Sequence, residues 1–208
     1  MTHAGPAGVD YRERAMSPSH TTRADSAAFT VPGLDPGNAR AVAEVLQERL
    51  TALTDLHLTL KHVHWNVVGP QFIAVHRMLD PQVEAVRAMS DALAERIATL
   101  GFSPVGTPGA LVAARTWDDY SLGRATALEH LGALDVVYAG IIQAHRAAAE
   151  AMEKLDLVTQ DMLIDQLKEL EQFHWFIRAH LEDPAGELST SGRSGEVPAA
   201  QAAAAATR

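Results

Sequence analysis

The chain has 208 residues, 47% of them apolar and 5% aromatic, with a formal net charge of −9 and no cysteine. That suffices for one packed domain with tails, and a composition rich in alanine and leucine suits packed helices better than a β-sandwich. It excludes disulfides, zinc–thiolate sites, cysteine nucleophiles and the uniformly basic surface of a nucleic-acid footprint.

The opening residues, Met1-Thr2-His3-Ala4-Gly5-Pro6, contain no apolar signal-peptide core. No uncharged apolar run is long enough to cross a bilayer. A soluble cytoplasmic protein is expected. Residues 1–34 read as a flexible tail, rich in Pro, Gly, Ser, Thr and Ala and without periodicity. Its Arg12, Arg14 and Arg23 are balanced by Asp10, Glu13 and Asp25.

The domain proper is expected over 35–183. Asp35 is a suitable N-cap, and Pro36 fits the first helical position, where a missing N–H costs nothing. Val42, Leu46, Leu50, Leu53, Leu56, Leu60, Val63 and Val67 then recur in steps of three and four, one amphipathic stripe. Gly69-Pro70 ends this first helix. The second long helix carries Phe72, Val75, Leu79, Val83, Val86, Leu93, Ile97 and Leu100, and ends at Gly101. Pro81 predicts a kink near Asp80, not a break, because the apolar rows keep phase across it.

Residues 101–120 form a long connection, with a short helix expected at Thr116–Tyr120. The third long helix is expected from about Ser121 to Lys154, with Leu131, Leu134, Val137, Ile141, Ala144, Ala148 and Met152 on its inner face. The fourth carries Leu163, Leu167, Leu170, Ile177 and Leu181 and stops near Asp183-Pro184. Residues 184–208 read as a second flexible tail, whose alanine-rich end has nothing to pack against. The expected fold is all-α: four long helices, with a crossover between the second and third.

Candidate ligands cluster between Lys61 and Arg96. His76 and Asp80 are four apart and share a helix face, as do Asp91 and Glu95. Asp80 and Asp91 are close to three turns apart, so all four lie on one stripe. But eleven residues at ~1.5 Å rise separate the pairs by roughly 16 Å, and metal–ligand bonds are about 2 Å. One helix cannot offer both pairs to one ion. Two copies placed antiparallel about a two-fold axis near Ala85 can, giving two equivalent sites per dimer. His64 can join His76 and Asp80 across the Gly69-Pro70 turn. Imidazoles and carboxylates without thiolate suit Fe(II), Mn(II) or Zn(II).

The segments His64-Trp65-Asn66, Gly69-Pro70, Phe72-Ile73-Ala74-Val75-His76, Met78-Leu79-Asp80, Asp91 and Ala94-Glu95-Arg96 resemble, in order and spacing, the signature of the DNA-binding proteins from starved cells, the Dps or mini-ferritin family. The resemblance spans residues 36–183. It implies a ferritin-like bundle assembled as a hollow homo-dodecamer. It implies a ferroxidase centre at each dimer interface, with His64, His76 and Asp80 from one chain and Asp91 and Glu95 from its neighbour. Fe(II) would be oxidised to Fe(III), preferentially by hydrogen peroxide, and stored as ferric oxide, which protects DNA by removing both reagents. Trp65 would donate an electron or trap a radical; its plainer role is to pack the helix seam. Asp156, Asp161 and Asp165 resemble the acidic lining of the family's three-fold pores; Asp156 is also placed to cap the fourth helix.

The resemblance also brings DNA and the nucleoid as partners, the alternative reading being a DNA-compacting protein with secondary iron chemistry. The residues favour this less. The N-terminal tail has no lysine, and Arg193 and Arg208 in the C-terminal tail face Glu187 and Glu196. Phosphate binding by counterion release needs several cations together. Glu171-x-x-His174 imitates a di-iron motif, but His174 falls in an apolar row and is expected as a hydrogen-bonded core histidine. His57 and His62 flank the site region and are expected on the surface or in the core packing rather than as supports for the ligands, and His145 and His180 on the surface.

Overall fold

The computed structural model describes residue 27 and residues 29–206. Most of the expected N-terminal tail, residues 1–26 and 28, lies outside them. Six helices and two very short strands follow in the order α1 (Pro36–Asn66), β1 (Val67–Val68), α2 (Phe72–Thr99), α3 (Pro108–Ala114), β2 (Ala125–Thr126), α4 (Ala127–Met152), α5 (Leu157–Arg178) and α6 (Glu196–Ala205).

α1 starts where its cap chemistry predicts. The Asp35 carboxylate accepts from the N–H groups of Gly37 at 2.8 Å and Asn38 at 3.2 Å, with Pro36 just inside. The predicted stripe is the buried face: Val42, Leu46, Leu50, Leu53, Leu56, Leu60 and Val63 all point inward. Each contributes roughly 1.5–3 kcal/mol of transfer free energy, against the entropy of ordering it. α2 runs unbroken through Pro81, and its stripe from Val75 to Leu100 is buried. Phe72, its expected first member, is instead exposed. Gly101 stops the helix at φ +91°, and a Cβ there would meet the Phe29 carbonyl oxygen at 2.0 Å.

α1 pairs with α2, and α4 with α5; α1 also packs on α4 and α2 on α5. This is a four-helix bundle with one long crossover, residues 100–126, between the second and third long helices. The parallel β1–β2 ladder, Val67 opposite Ala125 and Val68 opposite Thr126, ties the end of α1 to the start of α4.

Several expectations need correction. The short helix in the crossover is at Pro108–Ala114, where Pro108 opens it, and not at Thr116–Tyr120. That second stretch is irregular because its groups are engaged elsewhere: the Trp117 indole donates to Asp55 at 2.8 Å, and Arg115 bridges Asp55 at 3.2 Å. α4 begins at Ala127, six residues later than expected. Thr126 and Glu129 form a reciprocal capping box there. His145, expected on the surface, is fully buried, and its Nε2 donates to the Gln166 side chain at 3.1 Å. His180 is exposed as expected.

The stretch after residue 183 is not a bare tail. The Thr190 hydroxyl donates to the buried Asp135 carboxylate at 2.6 Å. Beyond it α6 lies on α4, burying Ala199, Ala200 and Ala203. Its seat is Gly132 of α4, where a Cβ would stand 2.6 Å from the Ala199 carbonyl oxygen and 2.9 Å from the Ala203 Cβ. The missing side chain of one glycine supplies the packing surface that the sequence pattern does not reveal.

Candidate metal centre

Two elements position the histidines. His64 is in the last turn of α1 and His76 in the second turn of α2. Between them Gly69 takes φ +98°, a conformation costly for other residues, and its carbonyl accepts from the Phe72 N–H at 3.0 Å. The chain thus reverses in a few residues, and the two imidazoles stack with centroids 3.6 Å apart and planes 23° apart.

Each ring is held by the other residue's backbone. His64 Nδ1 lies 3.0 Å from the His76 carbonyl oxygen, and His76 Nδ1 lies 2.9 Å from that of His64. A carbonyl can only accept, so both Nδ1 atoms carry the proton. That leaves Nε2 as the nitrogen through which each ring can bind a metal ion. Asp80 joins them: its Oδ1 is 3.4 Å from His64 Nδ1, with the carboxylate more than half exposed. It meets the protonated nitrogen of His64 rather than the free one, so the three groups are adjacent without converging on one point.

Asp91 and Glu95 lie further along α2, exposed to solvent. The continuous helix keeps Asp91 roughly three turns beyond Asp80, as the spacing demands, and Glu95 a turn further. Between the pairs, exposed Arg87 and Glu84 bridge at 3.0 Å. Among the described residues of one chain, no three His, Asp or Glu side chains are arranged to hold an ion. The structure therefore brings His64, His76 and Asp80 together and leaves Asp91 and Glu95 apart from them.

Large apolar side chains flank the histidines in the open. Trp65 is 71% exposed, and Leu58, Phe72 and Ile73 are exposed too. Trp65 does not pack the seam between the helices of its own chain. Lys61 places its Nζ 5.7 Å from the centre of the Trp65 ring.

Of the three pore candidates, Asp156 is committed elsewhere. It caps α5 through the Thr159 N–H at 3.2 Å and hydroxyl, and pairs with Arg96 at 2.6 Å. Burial opposes its charge, but Thr159 and Arg96 outweigh burial and hold its pKa below the usual carboxylate range. Asp161 and Asp165 are exposed on α5; Asp165 pairs with Lys168 at 3.2 Å. His174 is a core histidine, donating from Nε2 to Asp135 at 2.7 Å, and Glu171 pairs with Arg146, so the Glu-x-x-His is no metal site.

The residues that orient the imidazoles are main-chain carbonyls. A sequence carries no signal for them, because every residue has one.

Comparison with known proteins agrees with this architecture. The ferritin-like domain family matches residues 43–185. The chain is 58% identical over 176 residues to the DNA protection during starvation protein of Mycolicibacterium smegmatis, spanning 85% of this chain and 96% of that one. The solved structure of Mycobacterium smegmatis Dps superposes with a TM-score of 0.79 at 60% identity, covering 80% of this chain and 95% of that one. DpsA14 from Streptomyces coelicolor gives 0.77 at 62% identity, covering 78% and 97%. Bundle, crossover, histidine pair and relatives together establish that the chain belongs to the Dps family of ferritin-like proteins.

Proposed function

We propose that this protein oxidises Fe(II) to Fe(III), with hydrogen peroxide as the preferred oxidant, and stores the ferric product inside a dodecameric cage. The observation that carries the reading is the reciprocal clasp of His64 and His76, which ties up both Nδ1 atoms and leaves the two Nε2 atoms to offer a metal ion, with the Asp80 carboxylate next to His64. Nitrogen and oxygen donors without thiolate suit Fe(II).

The partner chain supplies Asp91 and Glu95 about a two-fold axis near Ala85. Support comes from exposed Leu58, Trp65, Phe72 and Ile73, large apolar side chains of the kind that proteins cover by association. Covering it would also dry the site, which strengthens the pull of the carboxylates on a cation. Fe(II) enters as substrate. Each of two irons gives peroxide one electron; Fe(III), a harder acid, passes to oxygen-rich inner surface and hydrolyses. Iron reaches the interior past Asp161 and Asp165, whose charges repeat about a three-fold axis; Asp156, buried in its pair with Arg96, takes no part. Removal of iron and peroxide together protects DNA; the mycobacterial relative is named for DNA protection during starvation. This chemistry belongs in the cytoplasm, close to the nucleoid.

The test is anaerobic Fe(II) titration followed by peroxide or oxygen, read by absorbance and particle mass. Saturable binding at the dimer sites, faster oxidation by peroxide and a dodecamer mass are expected. A monodisperse protein that oxidises iron no faster than buffer would overturn the reading.

A further inference from the structure

Where the crossover meets α1 and α4 lies a second constellation that the metal site does not use. Tyr120, in the crossover, has its hydroxyl 3.0 Å from Nδ1 of His130 on α4, and the two rings are near-parallel, 13° apart. His130 is fully buried. On the other side, the Tyr120 ring meets His62 edge-on, with centroids 5.9 Å apart. His62 is anchored by Nε2 to the Leu122 carbonyl oxygen at 2.8 Å and precedes the ligand His64 by two residues. That is ~3 Å along the helix axis and a little over half a turn around it, so the two rings leave opposite sides of α1.

A second buried tyrosine provides the contrast. Tyr138 donates its hydroxyl proton to the Gln82 side-chain oxygen at 2.7 Å. An amide accepts a hydrogen bond but does not take the proton; an imidazole does. The oxidised phenol is a strong acid, so a tyrosine gives up an electron readily only where a base takes its proton in the same step.

We infer that Tyr120, with His130 as its proton acceptor, is the residue that supplies the second electron when peroxide meets a site holding a single Fe(II). This rests on the iron-oxidising reading above. One Fe(II) gives peroxide one electron, and the product of stopping there is a hydroxyl radical. Tyr120 provides the other: its O–H bond breaks, the electron goes to the oxidant and the proton to His130 Nδ1. With two further protons from solvent, one H2O2, one Fe(II) and the neutral Tyr–His pair yield one Fe(III), two waters, and a tyrosyl radical facing an imidazolium. Burial keeps His130 neutral at rest, and the nearby Asn66 and Gly123 carbonyls favour the protonated ring once it forms. A site with two irons has no need of the tyrosine.

The experiment loads the assembled protein anaerobically with one Fe(II) per site, adds one equivalent of peroxide, freezes the sample and records the paramagnetic resonance spectrum. A tyrosyl signal is expected that narrows when the protein is made with ring-deuterated tyrosine. It should be lost in Tyr120→Phe while iron oxidation continues, and kept in Tyr138→Phe and Tyr11→Phe. It should also shrink when two irons per site are loaded. His130→Gln retains a hydrogen-bond acceptor without a base, and its signal should fall to background; this variant decides the matter where Tyr120→Phe does not assemble. Iron oxidised normally with no tyrosyl signal, or a signal unchanged in both variants, overturns the inference, leaving a Tyr–His pair that only pins the crossover. Wild-type protein that oxidises no iron removes the ferroxidase reading and this inference with it.

Discussion

His64 and His76 orient each other through their backbones: each Nδ1–H donates to the other's carbonyl, at 3.0 and 2.9 Å. The acceptors belong to the main chain, so truncating one imidazole leaves the other's anchor in place. His76→Ala should therefore weaken Fe(II) binding by roughly 10–100-fold, with the circular dichroism and the assembly unchanged. Isothermal titration under argon checks this; unaltered affinity would remove His76 from the ligand set.

The two half-sites predict complementation. His76→Ala/Asp80→Ala and Asp91→Ala/Glu95→Ala should each abolish fast oxidation alone. Disassembled, mixed in equal amounts and reassembled, they should regain about a quarter of the wild-type sites, because only one of the two sites in each mixed dimer is intact. Native mass spectrometry verifies the mixing. No recovery in verified mixed cages would contradict the inter-chain site.

Asp161→Asn/Asp165→Asn should slow iron uptake several-fold at low ionic strength, with the difference shrinking as salt rises. Stopped-flow absorbance at limiting Fe(II) measures it. Asp156→Asn should behave differently, destabilising the fold by about 1–3 kcal/mol through weakened hydrogen bonds to Arg96 and Thr159 rather than slowing uptake.

Acid should loosen the bundle in two stages. His145 is pushed down to about 4, chiefly by burial and then by Arg49. A histidine whose folded pKa lies below its ordinary 6.5 favours the folded state when neutral. Its contribution is complete above pH 6.5 and is lost as pH falls from there to about 4. Asp135 acts lower. Burial raises its pKa, but His174, Thr190 and Arg178 together outweigh burial and hold it far below the usual carboxylate range. Its contribution is complete above the ordinary carboxylate pKa and drains away only in stronger acid. Thermal melts in pH steps should show a flatter slope between pH 6.5 and 4 in His145→Gln, and a flatter slope below that in Asp135→Asn.

Gly132→Ala should cost about 1–3 kcal/mol by overpacking, concentrated on the docking of α6. Limited proteolysis should release the C-terminal segment first, while the four long helices stay protected. Equal protection in variant and wild type would mean that α6 adjusts without leaving its seat.

Much of this architecture was readable before any coordinates. The stripes of α1, α2 and α5 follow period 3.6, and burial obeys that period almost residue by residue, from Val42 to Val63 and from Leu163 to Leu181. The separation of His76/Asp80 from Asp91/Glu95 follows from helix rise alone. The start of α4 is also written in the sequence, as the capping-box pattern Thr126-x-x-Glu129. What remained hidden depends on contacts between distant segments. Tyr120 meeting His130, Thr190 meeting Asp135 and Ala199 meeting Gly132 leave no periodic trace.

The seating of α6 on α4 changes the reach of the chain's end. As a free coil, residues 184–208 would sweep a sphere with an r.m.s. radius of roughly 25–30 Å. Held by Thr190 and by the alanine face on Gly132, most of that length is folded back onto the bundle. Any polyanion that this end engages meets a fixed patch on a curved wall rather than a tether that can search for it. Capture at a distance would have to begin with α6 letting go, and the strength of one small helix's grip would then govern how far the particle can act.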